Sequence, residues 1–287
     1  MPTTSLFTNN KRGPLLVIGG AEQSEDLDRA VVLRRLVEMA GGKKARLLVS
    51  AASTTHPQET LEGYKAVFEK LGVAEVMGFA MDTRDEVDAP EALEALDRAT
   101  GVFFTGGDQL RLTAVVAGTE FGKRLQERYM NGLFVAGTSA GAAAVAGTMI
   151  TGGHGGIVCR EGIDLAPGLG LWAETVVDTH FDRSGRVHRL MAALVQNPGV
   201  LGIGINEDTA VEVSPKGQMT VLGSGNVFVF DGRIRHSNAA DVAADEPISM
   251  THSTLHVLAS GYGMDLRTME PTLPAPAKEL ADQERPD

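Results

Sequence analysis

The sequence predicts an α/β fold: a doubly wound, mostly parallel sheet with antiparallel strands toward the C-terminus. Three observations predict it. Between residues 15 and 146, short wholly apolar runs alternate with segments whose apolar residues recur at helical spacing. Several of those runs end in glycine pairs, and glycine reaches 34 of 287 residues against a usual share of ~7%. After about Asn206 the pattern changes to short runs separated by turn residues, as in hairpins.

Taken in order, 15–18 (LLVI) reads as a buried strand ending in Gly19-Gly20, and 27–40 as a helix stopped by Gly41-Gly42. A second strand follows at 45–51, a helix at 58–71 closed by Gly72, and a third strand at 74–79. A helix at 90–99 carries proline in its first turn, where the missing N–H costs nothing. Strand 101–105 ends in Gly106-Gly107, helices occupy 109–117 and 121–130, strand 133–136 follows, and a helix starts over 140–146. Further on, 211–213 and 219–222 flank the turn Ser214-Pro215-Lys216-Gly217 as a hairpin. Residues 227–230 and 233–234 flank Asp231-Gly232 as a second one. These antiparallel strands either extend one edge of the sheet or form a small second sheet.

Composition bounds the function. Hydrophobic residues at 43% and charged residues at 22% describe a globular chain. The length fits a single α/β domain over 13–267, preceded by an extension at 1–12 and followed by a proline-rich charged tail at 268–287 expected to be poorly ordered. A formal net charge of −11 argues against a nucleic-acid groove and an anionic membrane surface. No apolar run approaches the roughly 20 residues of a spanning helix, and 15–18 is too short for a signal sequence, so the chain reads as soluble and cytoplasmic. The single cysteine, Cys159, excludes an internal disulfide and a multi-cysteine metal site. His252 and His256 stand four apart but lack the glutamate of a zinc motif, and no G-x-G-x-x-G is present, so neither metal nor cofactor is expected.

The sharpest motif is Gly137-Thr138-Ser139-Ala140-Gly141, a G-x-S-x-G between a strand and an alanine-rich helix. Such a turn brings backbone close to backbone, so its flanks must be small, and it lifts the hydroxyl clear of the sheet edge. The helix start beneath favours negative charge, which makes the Ala140 N–H an oxyanion donor. A tight strand–helix turn without chemistry would leave the same pattern. Serine needs a base, and the base an orienting group. His180 ends the apolar strand Val176-Val177-Asp178-Thr179, and Glu207 stands just past another strand, with Asp208 as its rival. Thr105-Gly106-Gly107-Asp108-Gln109 is a second glycine turn at a strand end. Gly107 N–H is the candidate for the other oxyanion donor and Gln109 for a substrate hydrogen bond, while Asp108 suits a helix cap. The run Gly152-Gly153-His154-Gly155-Gly156 reads as a loop beside the site rather than an anion cradle.

Phe103 to Leu110, Gly137 to Ala142, Asp178-Thr179-His180-Phe181 and Gly204 to Ala210, in this order, resemble the cyanophycinase family. These are serine peptidases related to aspartyl dipeptidase, with a flavodoxin-like fold of the class I glutamine amidotransferase type. The resemblance runs from about Gly13 to about Leu266. It implies Ser139 as nucleophile, His180 as base and Glu207 as orienting group, with Gln109 and Asp178 touching substrate. The implied substrate is cyanophycin, a poly-aspartate backbone with arginine amide-linked to each side chain, cleaved from an end to β-Asp-Arg dipeptides. The resemblance also implies a homodimer. The family pattern after the histidine is His-Phe-x-Gln-Arg-Gly-Arg-x-x-Arg; Arg186 and Arg189 match it, while Arg183-Ser184 stand where Gln-Arg is expected. Arg183, Arg186 and Arg189 are the candidates for clamping substrate carboxylates. A dipeptidase for aspartyl or isoaspartyl peptides and a non-catalytic binding protein are the alternatives.

Overall fold

The computed structural model describes residues 11–153 and 156–274. Five short strands, β1 (Leu15–Ile18), β2 (Arg46–Ser50), β3 (Glu75–Phe79), β4 (Gly101–Phe104) and β5 (Phe134–Thr138), pair in parallel in the order β1-β5-β4-β2-β3. All residues of β1, β4 and β5 are buried, as a parallel strand covered on both faces requires. Helices α1 (Val31–Met39) and α2 (Pro57–Lys70) cover one face, packing Leu36 and Phe68 against Leu16, Ile18, Val49 and Phe103. After the short α3 (Arg84–Val87), helices α4 (Pro90–Arg98), α5 (Gln109–Val116) and α6 (Glu120–Met130) contribute Leu96, Leu112 and Phe121 to the core on the other face. The Asp108 side chain caps α5, accepting from Leu110 N at 2.8 Å, as its position before the helix predicts.

The second half builds another sheet. Helix α7 (Ala140–Ala144) gives way to β6 (Ala146–Gly153), β7 (Ile163–Pro167), β8 (Trp172–Thr179), α8 (Arg186–Gln196) and β9 (Leu201–Ile205). The chain continues as β10 (Thr209–Val213), β11 (Gln218–Gly223), β12 (Val227–Asp231), β13 (His236–Ser237), β14 (Met250–Thr251), β15 (Leu255–Leu258), β16 (Gly263–Asp265) and β17 (Glu270–Thr272). β10, β11, β16 and β17 extend the β1 edge of the first sheet antiparallel. The order β15-β12-β9-β8-β6-β7 forms the second sheet, parallel where β6, β8 and β9 pair. One core cluster unites Val17, Val135 and Val211 of the first sheet with Val177, Ile203 and Val229 of the second. Helix α8 closes the outer face of the second sheet, Leu190 and Leu194 packing with Val176 and Phe230.

The hairpin expected at 211–222 forms, with Val211 opposite Val221. Three details differ from the sequence reading. The helix expected to reach 146 stops at Ala144, because the crossing chain takes its end: Leu169 N donates to Ala144 O and Trp172 N to Val145 O. Residues 233–234 do not return along β12, whose two edges are already paired with β9 and β15. The tail expected to be poorly ordered from 268 carries β17, which finds a partner in β16; residues 275–287, like His154, Gly155 and positions 1–10 of the expected extension, lie outside the described residues. No helix among the described residues is long and apolar enough to cross a membrane.

Candidate active site

The site grows from the end of β1. Three successive carbonyls, of Ile18, Gly19 and Gly20, accept N–H groups from Ser139 (3.1 Å), His180 (2.9 Å) and Asp208 (2.9 Å). Each of those three donors has a positive φ, 51°, 51° and 48°. Non-glycine residues avoid that region, so each conformation persists only because its surroundings impose it. The three turns therefore meet where β5 of the first sheet and β8 and β9 of the second end. The structure brings these residues together from two sheets.

At the serine turn, a Cβ on Gly137 would stand 2.4 Å from Gly141 O, and one on Gly141 would stand 2.3 Å from Phe104 O. Only glycine fits either place, which is the physical content of the motif. Ser139 itself (φ 51°, ψ −113°) is half-buried, with its Oγ 2.9 Å from His180 Nε2. His180 Nδ1 lies 2.6 Å from Glu207 Oε1. Hydroxyl, imidazole and carboxylate thus form one hydrogen-bonded series. An imidazole so held can take the serine proton while the carboxylate fixes its tautomer. The Glu207 N–H donates to Asp182 Oδ1 at 3.1 Å. Asp208, the rival orienting group, turns away and accepts from Gln23 N and Ser224 Oγ.

Arg183 stands apart from the other two arginines. Its Nε and a terminal nitrogen donate to Glu207 Oε1 at 3.1 and 2.6 Å, the oxygen that also faces His180. Hydrogen bonds from His180 and Arg183 hold the Glu207 carboxyl below its usual range. Arg183, expected to clamp substrate carboxylates, is here paired with Glu207.

Arg186 and Arg189 reach inward to Asp178, which is 1% exposed. Arg186 donates at 3.2 Å, Arg189 Nε at 2.7 Å, and a second Arg189 nitrogen also bonds the carboxylate. Burial pushes the Asp178 carboxyl up to about 6, against the pull of Arg189. These side chains line a cavity of about 200 Å³ with Gly107, Gln109, Ser139 and Ala140. Gln109 Nε2 is anchored on Ile150 O at 2.6 Å, leaving its amide oxygen to accept.

A second, larger cavity of about 770 Å³ opens on the other side of Ser139 and His180. Glu22, Glu25 and Glu59 line it, with no lysine or arginine. Glu22 is held there by Tyr64 OH and Thr138 Oγ1, both donating at 2.7 Å. Burial and Glu22 push the Tyr64 phenol well above its usual value. The sequence reading missed Glu22; the glycine pair just before it, at a strand end, was the available signal. Among the described residues no group of His, Cys, Asp or Glu side chains is arranged to hold a metal ion.

A hydroxyl, an imidazole and a carboxylate in series at strand ends of an α/β fold define the serine-hydrolase class. Comparison with known proteins narrows this. The model of peptidase family S51 matches residues 15–221, and the chain belongs to that family; it is a peptidase. It is 36% identical over 264 residues to the cyanophycinase of Trichormus variabilis, covering 90% of this chain and 88% of that one. With the cyanophycinase of Geminocystis herdmanii it shares 34% over 265 residues, 91% of this chain and 96% of that one. A solved structure of a peptidase from an acI-B1 actinobacterium has the same fold at TM-score 0.64 and 22% identity, covering 90% of this chain and 99% of that one.

Two outcomes follow from the geometry. A Cβ at Gly20 would stand 2.4 Å from His180 Cε1, so Gly20→Ala should push the ring off Ser139 and lower kcat about a hundredfold in a folded protein. Parental kcat in that variant contradicts the placement. Between the ordinary carboxyl value of 3.8 and about 6, folded Asp178 keeps a proton that the unfolded chain has released. Stability from this group therefore rises as pH falls through that window. Denaturant unfolding of the parent and Asp178→Asn should give a difference that shifts in the parent's favour toward about pH 4 and is flat above about pH 7. A difference independent of pH contradicts the buried carboxyl.

Proposed function

We propose that this chain is a serine exopeptidase that hydrolyses cyanophycin to β-Asp-Arg dipeptides. The observation that carries the reading is the series Ser139, His180, Glu207 at 2.9 and 2.6 Å. In this reading His180 takes the Ser139 proton as Oγ attacks the carbonyl, and Glu207 stabilises the imidazolium. The N–H groups of Gly107 and Ala140 receive the oxyanion, His180 returns the proton to the leaving amine, and water then releases the acyl group. No metal or cofactor takes part, and the cytoplasm is the expected location.

The two cavities beside Ser139 fit a substrate that carries both signs of charge. Glu22, Glu25 and Glu59 suit the guanidinium of a substrate arginine, whereas Arg186, Arg189 and Gln109 suit a carboxylate and its neighbouring amide. The relatives are named cyanophycinases, and the polymer that the resemblance implies offers both groups in every unit. With Arg183 on Glu207 and serine at 184, the carboxylate side has two arginines, which Asp178 holds in place.

Incubation with purified cyanophycin should yield β-Asp-Arg by mass spectrometry, and Ser139→Ala should lower turnover by about 10⁴-fold or more while keeping the parent's melting temperature. A serine-directed phosphonate should label the parent and not that variant. Cleavage of Asp-X dipeptides with an intact polymer would favour the dipeptidase instead, and an unlabelled parent the binding protein. Glu22→Gln should raise KM for arginine-bearing substrate about tenfold with kcat nearly unchanged. An unchanged KM removes Glu22 from recognition.

A further inference from the structure

We propose that Ser53 is a positioning residue that aims the Gly107 N–H at the reacting carbonyl. The proposal rests on the reading of Gly107 as an oxyanion donor and adds the group that orients it. Ser53 lies just past β2, is 2% exposed and belongs to none of the motifs above.

Its hydroxyl and its carbonyl both grip the turn at 105–108. Ser53 Oγ lies 2.7 Å from Gly106 O and 2.9 Å from Thr105 O, and Ser53 O accepts from Asp108 N at 2.7 Å. A hydroxyl has one proton, and the shorter contact directs it to Gly106 O. Thr105 Oγ1, at 3.2 Å, can donate to Ser53 Oγ in turn.

In a trans peptide the C=O and the following N–H point in opposite directions, and the described residues contain no cis bond. Tying Gly106 O to Ser53 therefore turns the Gly107 N–H the other way. Gly107 lines a cavity together with Ser139 and Ala140, and in this proposal its N–H faces that side. The turn sits beside the hydroxyl, since a Cβ on Gly106 would stand 3.3 Å from Ser139 Cβ.

The peptide needs such a tie because glycine flanks it on both sides, and glycine pairs rotate freely. Gly107 has φ +142°, and a Cβ there would stand 2.1 Å from Ser53 O, so no stiffer residue can replace it. A flipped peptide would present an oxygen to the oxyanion and repel it. Ser53 removes that alternative before substrate arrives, which is the preorganisation on which oxyanion stabilisation depends.

The test is the kinetics of Ser53→Ala and of Ser53→Cys, which keeps the shape but donates weakly. Both should lower kcat by about tenfold to a hundredfold with KM within about twofold. Both should also weaken a peptide boronate that forms a tetrahedral adduct by the same factor, while the dipeptide product binds as in the parent. Should the alanine variant fail to fold, the cysteine variant carries the comparison. Parental kcat, or equal weakening of boronate and product, overturns the role of Ser53. Failure of a phosphonate to label Ser139 in the parent overturns the underlying reading instead.

Discussion

Everything at this site depends on three carbonyls in a row. Ile18, Gly19 and Gly20 hold the N–H groups of Ser139, His180 and Asp208, and so fix three turns that are remote in sequence. The arrangement works because β1 is central: β5 leads to the serine on one side of it, and β10 leaves from Asp208 on the other. Left-handed residues cost of order 1–3 kcal/mol each, and three are held here. Buried strands and a shared core supply the rigidity that keeps them there.

The electrostatics of the site divide at Ser139. One side is carboxylate-lined and the other carries two arginines set on a buried aspartate. Asp178 holds Arg186 and Arg189, since both of its oxygens accept from guanidinium groups. Arg183 adds positive charge beside Glu207 on the exposed side.

The parallel half of the fold was legible because β1 and β4 carry no polar residue and helices such as α1 keep one apolar stripe, signals that need no tertiary knowledge. The second sheet was only partly legible. β6 mixes glycine and threonine with few apolar residues, and β15 to β17 are short, with pairing set by partners far along the chain. Among site residues, the serine turn was readable because close backbone approach demands glycine at Gly137 and Gly141. Ser53 was not, because a lone serine after a strand carries no pattern, and the contact of Glu22 with Thr138 across 116 residues left no local signal beyond the glycine pair before Glu22. The pairing of Arg183 with Glu207 was not readable for a related reason, because an arginine near a histidine does not reveal which carboxylate it faces.

The most direct test is a crystal structure of the protein after reaction with a serine-directed phosphonate. The account predicts phosphorus bonded to Oγ of Ser139, a phosphoryl oxygen within hydrogen-bond reach of the Gly107 and Ala140 N–H groups, and His180 still between the adduct and Glu207. An adduct on another residue, or one whose oxygen faces away from both N–H groups, would contradict it.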